Sequence, residues 1–183
     1  MKNLLFLLMM VPILTWSQIQ VSGQPGNPDQ QFSIVNAAST SKILYDSSEK
    51  KLIGKSAAFL ADDIEKVTGK KSEVLSTIEE ADDNIIIIGT IGNSRYIDEL
   101  IETKKLDVDP ILNEWERFII QTVENPFPGV DEALVIVGSD KRGTAFGVFT
   151  LSEEMGVSPW YWWADVPVKK IGRASCRERV STS

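Results

Sequence analysis

The chain has 183 residues, of which 43% are hydrophobic and 25% charged, a composition typical of a globular domain with its own core rather than of a disordered chain. It has no histidine and a single cysteine, Cys176, which excludes histidine-based catalytic triads, histidine zinc sites, an internal disulfide and a thiolate metal cluster. The net charge of −7 disfavours nucleic-acid binding, which needs clustered positive charge, so we expect no metal ion, cofactor or nucleic-acid partner.

The first seventeen residues have the pattern of a secretory signal peptide. Lys2 supplies the positive start, residues 4–14 are apolar, and Ser17 offers a small residue for cleavage before Gln18. The apolar run is about 11 residues long, which is short of the roughly 20 that a helix needs to cross a bilayer. We therefore expect an exported protein, periplasmic, cell-surface or extracellular, with no membrane attachment after cleavage.

The residues after the signal indicate a linker followed by the start of a folded domain. Segment 18–30 is polar and rich in glycine and proline, which is typical of a flexible linker. Short strand patterns follow over 32–35 and 42–45, and apolar residues then recur at helical spacing over 52–68. Gly69 stands where a left-handed C-cap belongs, so we expect this helix to end there.

The middle of the chain repeats the order of strand and then helix. Residues 84–88 form an apolar, β-branched run that is typical of a buried central strand, and the turn 89–94 leads into a predicted helix over 95–103. A glycine-containing turn in this place can hold a phosphate, but the turn matches neither of the common glycine-rich phosphate-binding motifs. We therefore favour a plain turn capped by Asn93 or Ser94 and keep nucleotide binding as an alternative.

The remaining elements complete the predicted sheet. Residues 115–123 alternate as a strand, 133–137 form a second buried strand, and a helix is predicted from 141 to about 155. Asp140, or the serine before it, is the natural N-cap of that helix. We therefore predict an α/β (α+β) fold, a mixed β-sheet with helices packed on it, as an N-terminal domain over 31–158.

An aromatic connector follows the predicted domain over residues 159–170. Trp160, Trp162 and Trp163 lie within four residues, and Asp165 follows them. Such a cluster can pack between two domains, because indole rings bury large apolar areas. It can also line a carbohydrate subsite, because sugar rings have apolar faces that stack on indoles while a carboxylate accepts hydrogen bonds from the hydroxyls. Both interpretations stay open.

Three further polar residues come directly after a predicted buried strand. Asp140, Lys141 and Arg142 stand at the carboxyl edge of the sheet, where ligands of α/β proteins commonly bind. The two cations suit the carboxylate of a uronic acid, although a helix cap followed by two surface cations is the plainer interpretation. The candidate substrate-binding residues are therefore Asp140, Lys141, Arg142, Trp160, Trp162, Trp163 and Asp165.

The last thirteen residues, 171–183, differ from the rest of the chain. They are basic, show neither helical nor strand periodicity, and resemble the translated read-through of a common sequencing adapter. We therefore expect an artefactual tail, which includes Cys176, although a basic solvated tail is the alternative. Between the two ends, residues 18–170 hold 15 basic and 25 acidic residues, a net charge of −10, and no cysteine, which is typical of an exported domain that does not depend on disulfides.

Several blocks of the sequence together resemble the N-terminal domain of glycoside hydrolase family 115, the xylan α-1,2-glucuronidases. The blocks are 133–144 with Gly147, 156–167, 115–118 with residues 125–126, and 57–69. Block 156–167 is quite specific, whereas the helical block 57–69 alone is not. The helical block also resembles the small domain that precedes the barrel of hexosaminidases. The resemblance covers about residues 32–170.

This resemblance implies that the domain precedes a TIM-like barrel in an enzyme that releases (4-O-methyl)glucuronic acid from xylan with inversion. The two carboxyl groups of an inverting glycosidase are then expected on the barrel, so no catalytic residue is assigned here and the chain alone is expected to be inactive. Glucuronic-acid-decorated xylan and the missing barrel are the expected partners, and a homo-oligomer stays open. The alternative is a stand-alone carbohydrate-binding or interaction module, which would bury its tryptophans rather than leave them exposed.

Overall fold

The structure is a computed structural model that describes residues 20–22, 31–49, 51–164 and 166–177, so the predicted signal peptide lies outside the described residues. The strands are β1 Gln20–Ser22, β2 Gln31–Val35, β3 Lys42–Tyr45, β4 Val74–Leu75, β5 Asn84–Thr90, β6 Phe118–Glu124, β7 Glu132–Gly138 and β8 Ala174–Arg177. The helices are α1 Lys51–Thr68, α2 Arg95–Glu102, α3 Lys141–Glu154 and α4 Tyr161–Ala164, with short 3-10 turns at Ile78–Glu80 and Asp109–Ile111.

The central sheet has five strands in the order β4-β3-β5-β7-β6. The first four are parallel, and β6 runs antiparallel to β7 at one edge. The middle strands β5 and β7 are buried on both faces, which explains why they are continuous apolar runs rather than alternating ones. The predicted mixed sheet with helices packed on it is confirmed.

Helices cover both faces of this sheet and divide the core into two layers. α1 and α3 lie side by side on one face, where Ile64 and Leu151 pack with Ile86 of β5. α2 covers the opposite face, where Ile97 packs with Ile87 of the same strand. Successive isoleucines of β5 therefore enter opposite layers, as the pleat of a strand requires. None of the described helices combines the length and apolar character that a membrane crossing needs.

A second, three-stranded antiparallel sheet has the order β1-β8-β2. Two of its strands come from segments that are predicted to lie outside the domain, the linker 18–30 and the tail 171–183. β1 lies within the predicted linker. β8 lies within the predicted tail, so the expectation of no strand periodicity there is wrong for Ala174–Arg177. Ala174 and Cys176 are each 1% exposed and join the layer beneath α1 and α3, while Ser175 between them is more exposed. Whether the tail is artefactual stays a prediction.

β6 begins at Phe118, three residues later than the sequence pattern indicates. Glu116 has a backbone φ of 58°, in the left-handed region, and a residue in that conformation cannot continue an extended strand. The predicted strand is therefore wrong for Trp115, Glu116 and Arg117, which form a loop that leads into β6.

Candidate functional site

Asp140 is the N-cap of α3, as predicted, and both of its carboxylate oxygens are engaged by the backbone. Oδ1 accepts hydrogen bonds from the N–H groups of Arg142 and Gly143, each at 2.8 Å, and Oδ2 accepts one from Glu116 at 3.0 Å. Burial acts to raise the pKa of Asp140, but these hydrogen bonds outweigh it and hold the pKa below its usual value. The carboxylate is thus occupied in holding the helix and the preceding loop together.

The two cations after Asp140 differ in their surroundings. Arg142 Nη1 lies 2.9 Å from Glu116 Oε1, and its guanidinium carbon lies 6.0 Å from the centre of the Phe146 ring. Lys141 is exposed, and no ion pair to another described residue involves it. Lys141 is therefore open to an external carboxylate, whereas Arg142 would first have to leave Glu116.

The aromatic connector lies at the other end of α3. Trp160 is 66% exposed and precedes the short helix α4, which the sequence pattern does not predict. The side chains of Trp162 and Trp163, and the whole of Asp165, fall outside the described residues. Because the 14 residues of α3 span about 20 Å, Trp160 and the Asp140–Arg142 turn do not form one compact site. The assignment of all seven residues to substrate binding stays a prediction.

A large apolar groove that sequence reasoning missed runs between α1 and α3. Its volume is about 670 Å³. Phe59, Phe146 and Phe149 project into it with 42–46% of their surface exposed, and the rings of Phe59 and Phe149 lie 6.4 Å apart. We call this surface the phenylalanine groove, and its lining is completed by Asp63, Lys66, Phe118, Thr150, Ser152, Glu153, Val157, Ser158 and Pro159. Exposed phenylalanines on one surface mark an interaction site rather than an ordinary solvent face.

The groove also contains an unsatisfied polar group. Ser152 is 4% exposed, and its hydroxyl has no hydrogen-bond partner among the described residues. A buried hydroxyl without a partner costs free energy. The sequence shows that Phe146 and Phe149 have helical spacing. It does not show whether the helix face that they share is covered by other residues.

A cluster of polar residues lies at the carboxyl ends of β3 and β5. Asp46 Oδ2 accepts a hydrogen bond from the Arg95 N–H at 3.0 Å and so caps α2 from another loop. The sequence predicts Asn93 or Ser94 as the cap of α2, but neither side chain caps it. Ser94 occupies the N-cap position without a side-chain capping bond, and Asn93 Nδ2 donates to the Ile91 carbonyl. Long-range capping of this kind has no local sequence signal.

The turn at the end of β5 is a poor phosphate site. The Thr90 N–H donates to Glu49 Oε1 at 3.3 Å, and the Gly92 N–H donates to Asp98 Oδ1 at 2.8 Å. Two of the amides that would cradle a phosphate are therefore held by carboxylates, which repel it. In the part of the chain that the structure describes, no group of three or more acidic or cysteine side chains could hold a metal ion.

Glu49→Gln is expected to flatten the pH dependence of stability. Burial and the nearby Asp46 charge raise the pKa of Glu49 from 4.5 to about 7, although its bond to Thr90 opposes this. Because folding raises this pKa, the protonated form of Glu49 stabilises the folded state. This contribution to the free energy of unfolding is fully present below about pH 4.5 and is lost as the pH rises to 7. Because solvent still reaches the carboxyl, we expect the variant to be more stable at pH 8 by only about 1 kcal/mol.

Urea denaturation at pH 4.5 and pH 8 measures this effect. Glu102→Gln removes the same charge from an exposed position and should leave the difference between the two pH values unchanged. An equal pH dependence in the Glu49→Gln variant and the unmodified chain would show that the carboxyl does not titrate over this range.

No protein-family model and no curated protein matches the chain. A solved structure does match, that of a family GH115 4-O-methyl-α-glucuronidase with specificity for decorated arabinogalactans. The TM-score is 0.60 and the sequence identity 30% over 79% of this chain. The fold is similar to that of a GH115 domain. The match spans 18% of the glucuronidase chain, so the greater part of that enzyme has no counterpart in the matched region.

The described surface of this GH115-like domain has two distinct regions around α3. One is the phenylalanine groove, which α3 shares with α1. The other is the charged turn at the start of α3, where Asp140 and Arg142 are bound to the loop before β6. The first region is apolar and the second is charged, so they suit different kinds of contact.

Proposed function

We propose that the chain is the N-terminal, non-catalytic domain of an exported α-glucuronidase of family GH115. The parent enzyme would release (4-O-methyl)glucuronic acid from a decorated polysaccharide by inverting hydrolysis. The observation that supports this most directly is the 30% identity and shared fold with a GH115 glucuronidase over 79% of the chain.

The chemistry supports a site of catalysis outside this domain. An inverting glycosidase needs a carboxylic acid and a carboxylate base roughly 6.5–9.5 Å apart, with room between them for a water molecule. Asp46 and Asp140, which stand at carboxyl ends of sheet strands, are both occupied in capping helices. Their roles in folding leave neither carboxylate available. We assign the catalytic pair to a barrel domain of the parent enzyme because the resemblance to family GH115 implies such a domain.

Two similarities indicate the class of substrate, and each of them points to a different polysaccharide. The sequence resemblance implies xylan decorated with glucuronic acid. The similar solved enzyme is described as specific for decorated arabinogalactans. The shared element is a terminal (4-O-methyl)glucuronic acid, so both polysaccharides belong in any activity test.

The phenylalanine groove fits a contact with another domain of the same parent enzyme. Aromatic residues such as phenylalanine are enriched in the cores of protein interfaces, and three partly exposed phenylalanines lie in this groove. Trp160, which follows the groove-lining Pro159, is also exposed. A stand-alone module would be expected to cover such a surface.

Activity assays test this proposal. The 183-residue chain alone should release no glucuronic acid from glucuronoxylan or from decorated arabinogalactan. A longer polypeptide from the same gene, if it includes the barrel, should release the acid from at least one of them as the opposite anomer. Release by the chain alone, or none by the longer polypeptide from either substrate, would refute the proposal.

A groove variant tests the domain contact separately. Serine at Phe59, Phe146 and Phe149 should lower the melting temperature of the chain alone, because each of these side chains is more than half buried. The same variant should lower the melting temperature of the longer polypeptide by several degrees more, because the exposed part of each ring is buried there as well. Serine at the exposed positions Lys55, Glu102 and Glu124 is the matched control and should alter neither.

A further inference from the structure

Trp115 is the most exposed large hydrophobic side chain in the described part of the chain, at 79%. It lies on the loop before β6, between Asn113 with a φ of 63° and Glu116 with a φ of 58°. Residues other than glycine adopt left-handed backbone only at a cost, and they keep it where surrounding contacts enforce it. The loop thus holds an indole in water at the expense of backbone strain.

The contacts that enforce this conformation are specific. The Glu116 N–H donates to Asp140 Oδ2, and its carboxylate binds Arg142 at 2.9 Å. One residue further on, the backbone of Arg117 is bound by Ser139, whose N–H donates to the Arg117 carbonyl at 2.9 Å. The backbone that directly follows Trp115 is therefore fastened to the start of α3, which fixes the place of the indole on this surface.

The surroundings of Trp115 along the chain, residues 113–117, are polar or charged and, unlike the phenylalanine groove, contain no phenylalanine. Glu114 and Arg117 lie close to it in the chain, and Lys141 stands at the turn to which the loop is fastened; all three are exposed. Neither Arg117 nor Lys141 forms an ion pair with another described residue. Protein interfaces are depleted in lysine and glutamate, so Lys141 and Glu114 disfavour a protein partner here, although tryptophan and arginine are themselves enriched at interfaces.

A sugar ring matches this arrangement better. Its C–H face is apolar and stacks on an indole, while its hydroxyl groups and any carboxylate take hydrogen bonds from charged side chains around the ring. We propose that Trp115 is the stacking platform of a surface carbohydrate subsite, with Arg117 and Lys141 available to a uronate group. The class of ligand, a polysaccharide that bears uronic acid, rests on the proposed function.

Binding by the intact 183-residue chain tests this subsite. Titration calorimetry with glucuronoxylan fragments should show weak binding that Trp115→Ala reduces by about tenfold, equivalent to about 1.4 kcal/mol, and that Trp115→Phe partly retains. Leu112→Ala, on the same loop and at a 46% exposed residue, should bind as the unmodified chain does. Absence of binding by the unmodified chain, or equal binding by Trp115→Ala, would overturn the proposal.

Two further comparisons distinguish this subsite from a protein contact and from a general effect of surface charge. Lys141→Ala should weaken binding of glucuronoxylan but not of xylan freed of its uronic acid, whereas Lys55→Ala, on exposed α1 surface, should alter neither. Self-association of the chain that Trp115→Ala abolishes, without any effect on sugar binding, would assign the tryptophan to a protein contact instead. Because these experiments measure binding by this chain, they can fail or succeed independently of the activity of the longer polypeptide.

Discussion

Gly143→Ala is expected to destabilise the domain by about 3 kcal/mol, a large effect for the addition of one methyl group. A Cβ atom at residue 143 would lie 2.2 Å from the carbonyl oxygen of Arg117. The obstacle is backbone that Ser139 holds in place, so it cannot turn aside as a flexible side chain could. Relief would require the loop before β6 to separate from the start of α3.

Urea denaturation of the two proteins measures this effect. Gly54→Ala is the matched control, because it also introduces one methyl group into a helix. There the nearest atoms belong to the ring of Tyr45, at 3.2 Å, which is a side chain that can shift. We expect a change within about 1 kcal/mol for the control, since the better helix propensity of alanine offsets the contact. Equal effects of the two substitutions would mean that the loop is not packed closely on α3.

Asp140→Ala is expected to destabilise the domain by about 2 kcal/mol. The substitution removes the acceptor for two N–H groups of the first turn of α3 and for the N–H of Glu116. Loss of an N-cap side chain alone costs about 1 kcal/mol, and the unpaired N–H of Glu116 adds to it. A loss below about 0.5 kcal/mol in denaturation experiments would show that the cap and the loop are not coupled through this carboxylate.

Protonation of the Asp140 carboxylate should lower the stability of the domain at acid pH. Because the pKa of Asp140 is lowered in the folded protein, its contribution is present above the ordinary value of 3.8 and is lost as the pH falls through the lower, folded value. Asp140→Asn keeps a hydrogen-bond acceptor but cannot titrate, so its stability should fall less between about pH 5 and pH 2 than that of the unmodified chain. An equal loss of stability in the Asp140→Asn variant and the unmodified chain over this pH range would contradict the lowered pKa of Asp140.

The parts of the fold that could be predicted are those whose signal is local. The apolar runs of β5 and β7 and the helical periodicity of α1 identify their elements directly. β1 and β8 are only three and four residues long, and their strands depend on each other, so no local pattern indicates them. The start of β6 differs from the sequence pattern because contacts from α3 hold Glu116 in a left-handed conformation.

The candidate site was predictable only in part. Asp140 is recognisable as a helix cap because aspartate directly before a helix is a strong signal. Its bond to the distant N–H of Glu116 has no such signal, and neither has the pairing of Arg142 with Glu116. The phenylalanine groove could not be inferred, because spacing alone does not show whether an aromatic face of α3 is covered.

The exposure of Trp160 agrees with a domain that contacts further protein. The charge around Trp115 and the apolar lining of the groove suggest a division of these roles along α3. On this view the groove end of α3 contacts another domain, and the turn at its start faces the polysaccharide.

The most direct test of the proposed identity is the sequence of the source DNA through the codon of Lys170. We expect the natural reading frame to continue beyond Lys170 into a long segment with the alternating strands and helices of a barrel. That result would place this chain within a larger α-glucuronidase and assign the tail to an artefact. A genomic frame that runs through residues 171–183 and then stops would contradict the proposal and favour a stand-alone carbohydrate-binding module.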